Sequence, residues 1–489
     1  MWNKVRRWTP KIALAAAAVF LLVRLIIAAA IWVQHDWAAI RFLYPLDYGE
    51  GPILDQAARL ARLQNIYPRD LVKPPYRIAN YPPLYPLLQA PFVWAFGPAL
   101  WYGRVLSALG ILAAALFCAL ILHLLTGDWL AGAAGGLLLL AYPYVVHWST
   151  FVRVDSLALG LSMAGLYVIV RWPEQRAGLW GGAVLLAAAA YTRQSYALAA
   201  PLAAFVWLLH ERPHRRAFAL AGIVGGIGLL VFVLLVLVTH GGFYLHVVAA
   251  NVNRFQWTTV QHYAEEMWDH IPYLLIGSGL YVLLGAWLRR CTWWLIAPYL
   301  IGSIASAITV GTVGSSVNYM FEFSAALSLA AGALIAWPGA RRWWLRVPLV
   351  AFLALQAGSM ASWTCDDYLG RNVWKIERRD DIARMAKIVA AADGPVLADE
   401  FMGLIPEVGK PLYYQPFEFK QLAEAGLWSQ WPFIDQIERQ AFPVILLYDP
   451  PGWDSQGERW TNEMRAAMAR HYQPVARLAE TIVLRPRGQ

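Results

Sequence analysis

Two acidic residues, Asp47 and Glu50, lie on a glycine-rich turn directly after the first hydrophobic segment of the chain. Gly49 and Gly51 allow the backbone to turn sharply, and Pro52 suits the first turn of a following helix. A partly desolvated carboxylate here could take a proton from an acceptor hydroxyl or hold a cationic amine. The spacing alone favours a structural role, in which both carboxylates stabilise the helix N-terminus through its dipole. The choice between a chemical and a structural role for Asp47 and Glu50 therefore depends on the polar residues around them.

The turn is followed by an amphipathic segment and then by the proline- and tyrosine-rich sequence NYPPLYP, which contains Tyr81 and Tyr85. From Ile53 onward, apolar residues recur at helical spacing, and Arg59 and Arg62 lie on the opposite side. This pattern predicts a helix that lies flat at a membrane interface, within a first outer loop that spans 35–102.

The composition predicts a polytopic membrane protein. Hydrophobic residues make up 59% of the 489 residues and charged residues 15%, and the mean hydropathy is +0.45, which is too apolar for a soluble globule of this length. The net charge of +9 does not indicate nucleic-acid binding, because the basic residues form short clusters between apolar runs. The three cysteines are not placed to pair, so we expect no disulfide.

Apolar runs of about eighteen residues or more predict roughly eleven transmembrane helices, so the expected fold class is mainly α, a polytopic membrane helical bundle. The predicted spans lie near 12–34, 103–125, 129–147, 156–172, 178–192, 195–210, 217–239, 271–288, 292–310, 320–337 and 347–363. Residues 1–363 are therefore predicted to form a transmembrane domain that carries the catalytic residues.

The distribution of basic residues predicts the orientation, because cytoplasmic loops are enriched in lysine and arginine. The basic clusters fall before the first span and in alternate loops: Lys4, Arg6, Arg7 and Lys11; Arg171 and Arg176; Arg212, Arg215 and Arg216; Arg289 and Arg290; and Arg341, Arg342 and Arg346. We therefore expect a multi-pass protein of the cell inner (cytoplasmic) membrane, with a cytoplasmic N-terminus and an extracytoplasmic C-terminus.

The composition changes after Trp363, where charged residues become frequent. Predicted helices near 376–392 and 459–471 alternate with predicted strands near 395–398, 443–448 and 480–485, which indicates a small outer α/β domain over 364–489. Asp399, Glu400 and Trp428 in this domain are candidates for receiving an acceptor, but the pattern favours a packing or lid role for them.

Further polar clusters fall on the same predicted outer face. They are Arg153 and Asp155; Arg193 and Gln194; Asn251, Asn253 and Arg254; and Asn318, Tyr319 and Glu322. Arginines at an outer rim run against the positive-inside trend, so a specific anion is a reasonable explanation, and a phosphate or pyrophosphate on a lipid carrier fits this position. The alternative for each cluster is a lipid headgroup contact or a buried pair, such as Arg153 with Asp155.

These segments, taken in order, resemble the GT-C superfamily of membrane glycosyltransferases, and within it the bacterial relatives of protein O-mannosyltransferases and the lipid A aminoarabinose transferase. The resemblance rests on DYGEGPILDQAARL, NYPPLYPLLQAP, FVRVDSLALG, YTRQSYALAAP and VNYMFEF, across roughly the first 325 residues. It implies a GT-C fold and a polyprenyl-phosphate-linked sugar donor, with a hexose as the expected sugar. The sugar would pass to a protein, glycan or lipid acceptor by inverting displacement outside the membrane.

The resemblance also implies roles for individual residues. A first-loop carboxylate would be the catalytic base, and the usual adjacent acidic pair is replaced here by Asp47-Tyr48-Gly49-Glu50, so either acid is a candidate and we favour Asp47. Arg193 would bind the phosphate. The other candidate substrate-binding residues are Arg153, Asp155, Gln194, Tyr81, Tyr85, Asn318, Tyr319, Glu322 and Arg254. No metal-ligand spacing is evident, so no metal or other cofactor is indicated, although some superfamily members use a divalent metal.

The main alternative function is a transporter or flippase for a lipid-linked or anionic solute. Such a protein would place ionisable residues along a path through the spans. Charges within the predicted spans are few, chiefly Arg24, and the polar clusters lie on one face. The sequence therefore favours the transferase, and a non-catalytic scaffold would leave these clusters without a role.

Overall fold

The computed structural model describes residues 2–288, 291–339 and 342–488. Arg289, Arg290 and Arg341, which contributed to the predicted orientation, lie outside the described residues. The protein is mainly α-helical, with a helical bundle over most of its length and a small mixed sheet near the C-terminus. This confirms the predicted fold class.

Within the described residues, six helices are long and apolar enough to cross a membrane. They are Lys11–Arg41 (part of the helix Trp2–Arg41), Trp101–Thr126, His214–Val238, Trp293–Gly311, Val317–Ala336 and Trp343–Glu377. The helices Trp257–His270 and Pro272–Trp287, which meet at 95°, would together count as a seventh. The predicted number of about eleven spans is therefore not confirmed.

Several predicted spans correspond to shorter helices. These and the loop helices are Glu50–Ala61, Leu84–Phe96, Trp129–Ala141, Pro143–Trp148, Asp155–Arg171, Arg176–Thr192, Ala199–Glu211 and Gly242–Tyr244, with 3-10 or π turns at Gln194–Ala197, Leu245–Ala249, Thr309–Gly311 and Val317–Met320. The predicted span 129–147 breaks at Tyr142, whose ψ of 128° is extended. The break has a local cause, because a residue that precedes a proline is disfavoured in the helical conformation and residue 143 is a proline.

Glycines let the helices Trp101–Thr126 and Asp155–Arg171 cross closely. A side chain at Gly160 would come within 2.4 Å of the carbonyl oxygen of Gly110, and one at Gly110 within 2.6 Å of the backbone of Ser156. Small residues at such a crossing allow the two backbones to approach each other. The crossing fixes the start of the helix that carries Asp155 against the helix that carries Arg104.

The last long helix runs through the predicted domain boundary at 363/364. The helix Trp343–Trp363 continues through a π turn, Thr364–Tyr368, into Leu369–Glu377, which we call the linker helix. The charged residues at the end of the linker helix therefore extend from a membrane helix.

The C-terminal domain contains a four-stranded sheet in the order β1-β2-β4-β3, formed by Val396–Ala398, Val444–Tyr448, Tyr472–Leu478 and Thr481–Pro486, numbered in chain order. Strands β1 and β2 are parallel, and the other pairs are antiparallel. Its helices are Arg379–Ala391, Leu404–Glu407, Pro416–Glu424, Trp431–Glu438, Ser455–Arg459 and Asn462–His471. The sequence predicted three of these strands and missed β3, which is largely exposed and contains Pro474.

The loop 35–102, which the sequence predicts as the first outer loop, packs against this domain. Tyr76 forms a bridge with Tyr414, and its ring lies 5.2 Å from the ring of Trp428. Both side chains belong to a buried cluster that also contains Phe419 and Phe433. Trp428 is therefore a packing residue, as the sequence favoured, and the loop and the domain share one core.

Candidate active site

A cavity of about 1020 Å³ lies between the helical bundle and the C-terminal domain. Asp47, Arg153 and Arg193 line it from the bundle and its outer loops, and Lys375, Glu400 and Arg459 line it from the linker helix and the C-terminal domain. Its size is in the range of a site for a small molecule or a lipid headgroup. The two halves of the chain therefore build one site.

Asp47 presents its carboxylate at the cavity wall. Its Oδ2 lies 2.8 Å from Nε of Arg153 and also accepts a hydrogen bond of 2.8 Å from the backbone N–H of Gly49. Burial raises the pKa of Asp47 above its ordinary value, and the charge of Arg153 opposes this rise. Desolvation makes the Asp47 carboxylate a stronger base, and loss of its pairing with Arg153 would raise the pKa further.

Gly49 makes room for the guanidinium of Arg153. A Cβ at Gly49 would lie 1.9 Å from Nη1 of Arg153, so the guanidinium occupies the space that any other residue would fill. On its other side, Arg153 lies 5.2 Å from the ring centroid of Trp148. The salt-bridge partner of Arg153 is thus Asp47, and the pairing with Asp155 that the sequence left open is not formed.

Glu50 lies behind the cavity and does not line it. Its side chain is fully buried and accepts hydrogen bonds from Nε and Nη2 of Arg104, at 2.9 and 2.8 Å, and from the backbone N–H groups of Leu46 and Val152, at 2.7 and 3.0 Å. Burial by itself would raise the pKa of Glu50, but the charge and hydrogen bonds of Arg104 outweigh burial and hold the pKa below its ordinary value. The geometry assigns Glu50 to holding the loop that carries Asp47.

Arg193 is oriented by two neighbouring residues, Asp155 and Tyr319. Asp155 accepts a hydrogen bond from Nη1 of Arg193 and another, of 3.0 Å, from Nδ2 of Asn318. The guanidinium of Arg193 lies 4.1 Å from the ring centroid of Tyr319. Arg193, Asn318 and Tyr319 line the cavity, whereas Asp155 lies behind them and is buried. Asp155 thus positions a cation and an amide at the cavity wall.

The remaining candidates from the sequence divide into two groups. Tyr81 and Gln194 line the cavity. Tyr85 is buried outside it, with its hydroxyl bonded to the carbonyl of Gly103 and to Ser107. Arg254 is exposed and Glu322 is buried, and neither side chain lines the cavity.

The sequence did not single out the contribution of the linker helix. Lys375 donates a hydrogen bond of 2.8 Å to the backbone carbonyl of Leu46 and forms a salt bridge with Glu400, which also pairs with Arg459. Burial opposes ionisation of Glu400, but the two cations outweigh it and lower its pKa to about 2. The sequence feature that could have indicated this contribution is the spacing of Arg371 and Lys375, which are four residues apart and therefore share one helix face.

In the described part of the chain, no group of three or more histidine, cysteine, aspartate or glutamate side chains is placed to hold a metal ion.

Comparison with known proteins gives matches in structure only. No family model matches the chain, and no curated protein matches its sequence. ArnT from Cupriavidus metallidurans, the lipid A aminoarabinose transferase, is similar in the form bound to undecaprenyl phosphate, with a TM-score of 0.61, 15% identity, and coverage of 95% of this chain and 97% of that one. Its apo form gives a TM-score of 0.59, 16% identity, and coverage of 96% and 98%.

A second similar structure is the oligosaccharyltransferase AglB from Archaeoglobus fulgidus, in complex with an inhibitory peptide and a dolichol-phosphate. It gives a TM-score of 0.55 at 11% identity, over 87% of this chain and 69% of that one. Both proteins have the GT-C fold. This chain has the GT-C fold. The predicted resemblance is thereby confirmed for the fold, and in this GT-C chain the cavity with Asp47 lies where the first outer loop meets the C-terminal domain.

Proposed function

We propose that the protein is an integral membrane glycosyltransferase that moves a sugar from a polyprenyl-phosphate donor to an acceptor at the outer face of the cytoplasmic membrane. The observation that carries the proposal is the placement of the Asp47 carboxylate beside Arg153, in one cavity with Arg193. The similarity to structures bound to undecaprenyl phosphate and dolichol-phosphate supports a lipid-linked donor.

In the proposed reaction, Asp47 removes the proton from an acceptor hydroxyl, and the oxygen attacks the anomeric carbon of the donor sugar. The bond between that carbon and the phosphate oxygen breaks, the configuration inverts, and the phosphate leaves with the bonding electrons. Arg153 and Arg193 stabilise the negative charge that develops on the phosphate. Arg153 is bonded to the Asp47 carboxylate, so binding of Arg153 to the phosphate frees that carboxylate to accept the proton.

Arg371 is a further candidate phosphate ligand. It lines the cavity from the linker helix, and among the described residues no carboxylate lies within 4.0 Å of its guanidinium, whereas Arg153, Arg193, Lys375 and Arg459 are each ion-paired. Its Nε donates a hydrogen bond to the carbonyl of Asp367. An unpaired guanidinium at the cavity wall can bind an anion without first breaking a salt bridge.

The proposal includes the predicted orientation, with a cytoplasmic N-terminus and an extracytoplasmic domain at 364–489. Two features support it. The basic clusters of the sequence alternate between the loops of the predicted spans as the positive-inside trend requires, and the cavity is lined jointly by the bundle and the charged C-terminal domain.

The test measures binding and turnover of a short-chain polyprenyl-phosphate sugar by detergent-purified protein. Wild type should release the sugar, Asp47→Asn should bind the donor without turnover, and Arg193→Ala should bind it more weakly. Arg254→Ala is the matched control, because Arg254 is an outer-loop arginine that does not line the cavity. If Asp47→Asn retained turnover, Asp47 would not be the catalytic base. Failure of wild type to bind any such donor would refute the transferase, and solute flux would then be measured.

A further inference from the structure

The wall of the cavity contributed by the linker helix and the C-terminal domain is rich in aromatic side chains. Trp374 and Tyr448 are stacked, with ring centroids 6.2 Å apart and an interplanar angle of 18°. Trp453 meets Tyr448 edge to face at 6.1 Å and is 42% exposed. All three residues line the cavity, and we call them the aromatic wall. An exposed indole beside a polar cavity is available to a ligand with a flat apolar face.

Two carboxylates that line the cavity, one of them bonded to the aromatic wall, have no salt bridge with a described residue. Glu458 accepts a hydrogen bond of 2.8 Å from Nε1 of Trp453, and Glu418 accepts one of 2.6 Å from the hydroxyl of Tyr48. Both acids line the cavity, and no lysine or arginine among the described residues lies within 4.0 Å of either carboxylate. Each carboxylate retains lone pairs that can accept hydrogen bonds from hydroxyl groups.

The two cations beside the aromatic wall are already paired. Lys375 and Arg459 both pair with Glu400, and the guanidinium of Arg459 lies over the rings of Tyr48 and Trp453, at 4.8 and 5.2 Å. Arg371, three residues before Trp374 on the linker helix, has no salt bridge with any described residue and remains a candidate phosphate ligand. An anionic group placed beside Glu418 or Glu458 would face a carboxylate without a lysine or arginine of the described residues within 4.0 Å.

Resting on the proposed function, we propose that the aromatic wall is the acceptor subsite and that the acceptor is a neutral saccharide. A sugar ring has an apolar C–H face that stacks on an indole, and its hydroxyls donate hydrogen bonds to carboxylates such as Glu418 and Glu458. A lipid chain would leave these charges desolvated and unpaired. Asp47 lines the same cavity, and Arg459 lies over both Trp453 and Tyr48, the residue next to Asp47, so the aromatic wall and the base face one space.

The experiment uses saturation-transfer difference NMR on the full-length protein in detergent. The probes are neutral trisaccharides, namely cellotriose, chitotriose, maltotriose and mannotriose, together with a serine- and threonine-rich heptapeptide. Wild type should bind at least one trisaccharide, and Trp453→Ala should weaken that binding about tenfold, the loss of one aromatic contact. Trp431→Ala is the matched control, because Trp431 is 63% exposed on the same domain and does not line the cavity, and it should bind as wild type does.

Two results would overturn the saccharide assignment: no trisaccharide binding, or equal binding by wild type and Trp453→Ala. Heptapeptide binding that depends on Trp453, without trisaccharide binding, would assign a peptide acceptor instead. Binding of a short-chain polyprenyl phosphate is measured in parallel on the same samples. If that ligand binds and no trisaccharide does, only the acceptor assignment fails. If trisaccharides bind in a way that depends on Trp453 and the polyprenyl phosphate does not bind, the proposed transferase function is refuted and the saccharide-binding site is supported.

Discussion

The substitution Glu50→Gln should unfold the loop that carries Asp47, whereas Asp47→Asn should leave that loop folded. Glu50 is fully buried, and its carboxylate receives both Nε and Nη2 of Arg104 and two backbone N–H groups. A glutamine offers a single acceptor oxygen and turns its own N–H groups toward these donors. It also leaves the charge of the buried Arg104 uncompensated.

The expected magnitude follows from burial. Breaking a buried, hydrogen-bonded ion pair by removing one partner costs about 3–5 kcal/mol. The Asp47–Arg153 pair lies at the cavity wall, with side-chain exposures of 13% and 18%, and the asparagine of Asp47→Asn keeps one oxygen for the N–H of Arg153, so Asp47→Asn should cost less than Glu50→Gln. A difference of several kcal/mol is a large part of the stability of a folded domain, so Glu50→Gln should be poorly folded at temperatures where wild type is intact.

The assay is thermal unfolding in detergent, read as the fraction of monodisperse protein that survives each temperature. A double variant, Glu50→Gln with Arg104→Met, should recover part of the loss because no buried charge is then left unpaired. If Glu50→Gln kept wild-type thermal stability but lost turnover, the structural role argued for Glu50 would be refuted and Glu50 would become the candidate base.

Three further predictions concern the cavity. Gly49→Ala should weaken binding of a polyprenyl phosphate about tenfold with little loss of thermal stability, because the new Cβ displaces only the flexible end of Arg153. Because burial raises the pKa of Asp47 above 3.8 and Arg153 opposes the rise, Arg153→Gln should move the acidic limb of the kcat/KM profile to higher pH; an unmoved limb would contradict Asp47 as the base. Glu400 has a folded pKa of about 2 against an ordinary 4.5, so its contribution to stability is complete above pH 4.5 and is lost as the pH falls toward 2. Thermal unfolding of Glu400→Gln should therefore depend less on pH in that window than wild type does.

Prediction of the fold worked where local patterns decide it. Long apolar runs such as 217–239 and 347–363 correspond to long helices, because an apolar segment of that length has few alternatives to a helix in a membrane. The number of spans was not confirmed, because runs such as 129–147 contain a proline that divides them into shorter helices. Strand β3 was missed because its exposed residues and Pro474 interrupt the alternation of apolar and polar residues that indicates a strand.

By itself, the sequence determined that the chain is a helical membrane protein and that Asp47 lies on a turn after the first apolar segment, and it predicted that Arg153 and Arg193 share a face with Asp47, which the cavity confirms. These conclusions depend on hydropathy, glycine and proline positions and charge, which are local properties. Only the tertiary structure decided that Glu50 is enclosed by Arg104 while Asp47 remains at the cavity, since two acids three residues apart differ only in what packs around them. The partners of Glu400 likewise come from Lys375 and Arg459, 25 and 59 residues away, and local pattern carries no information about contacts at that separation.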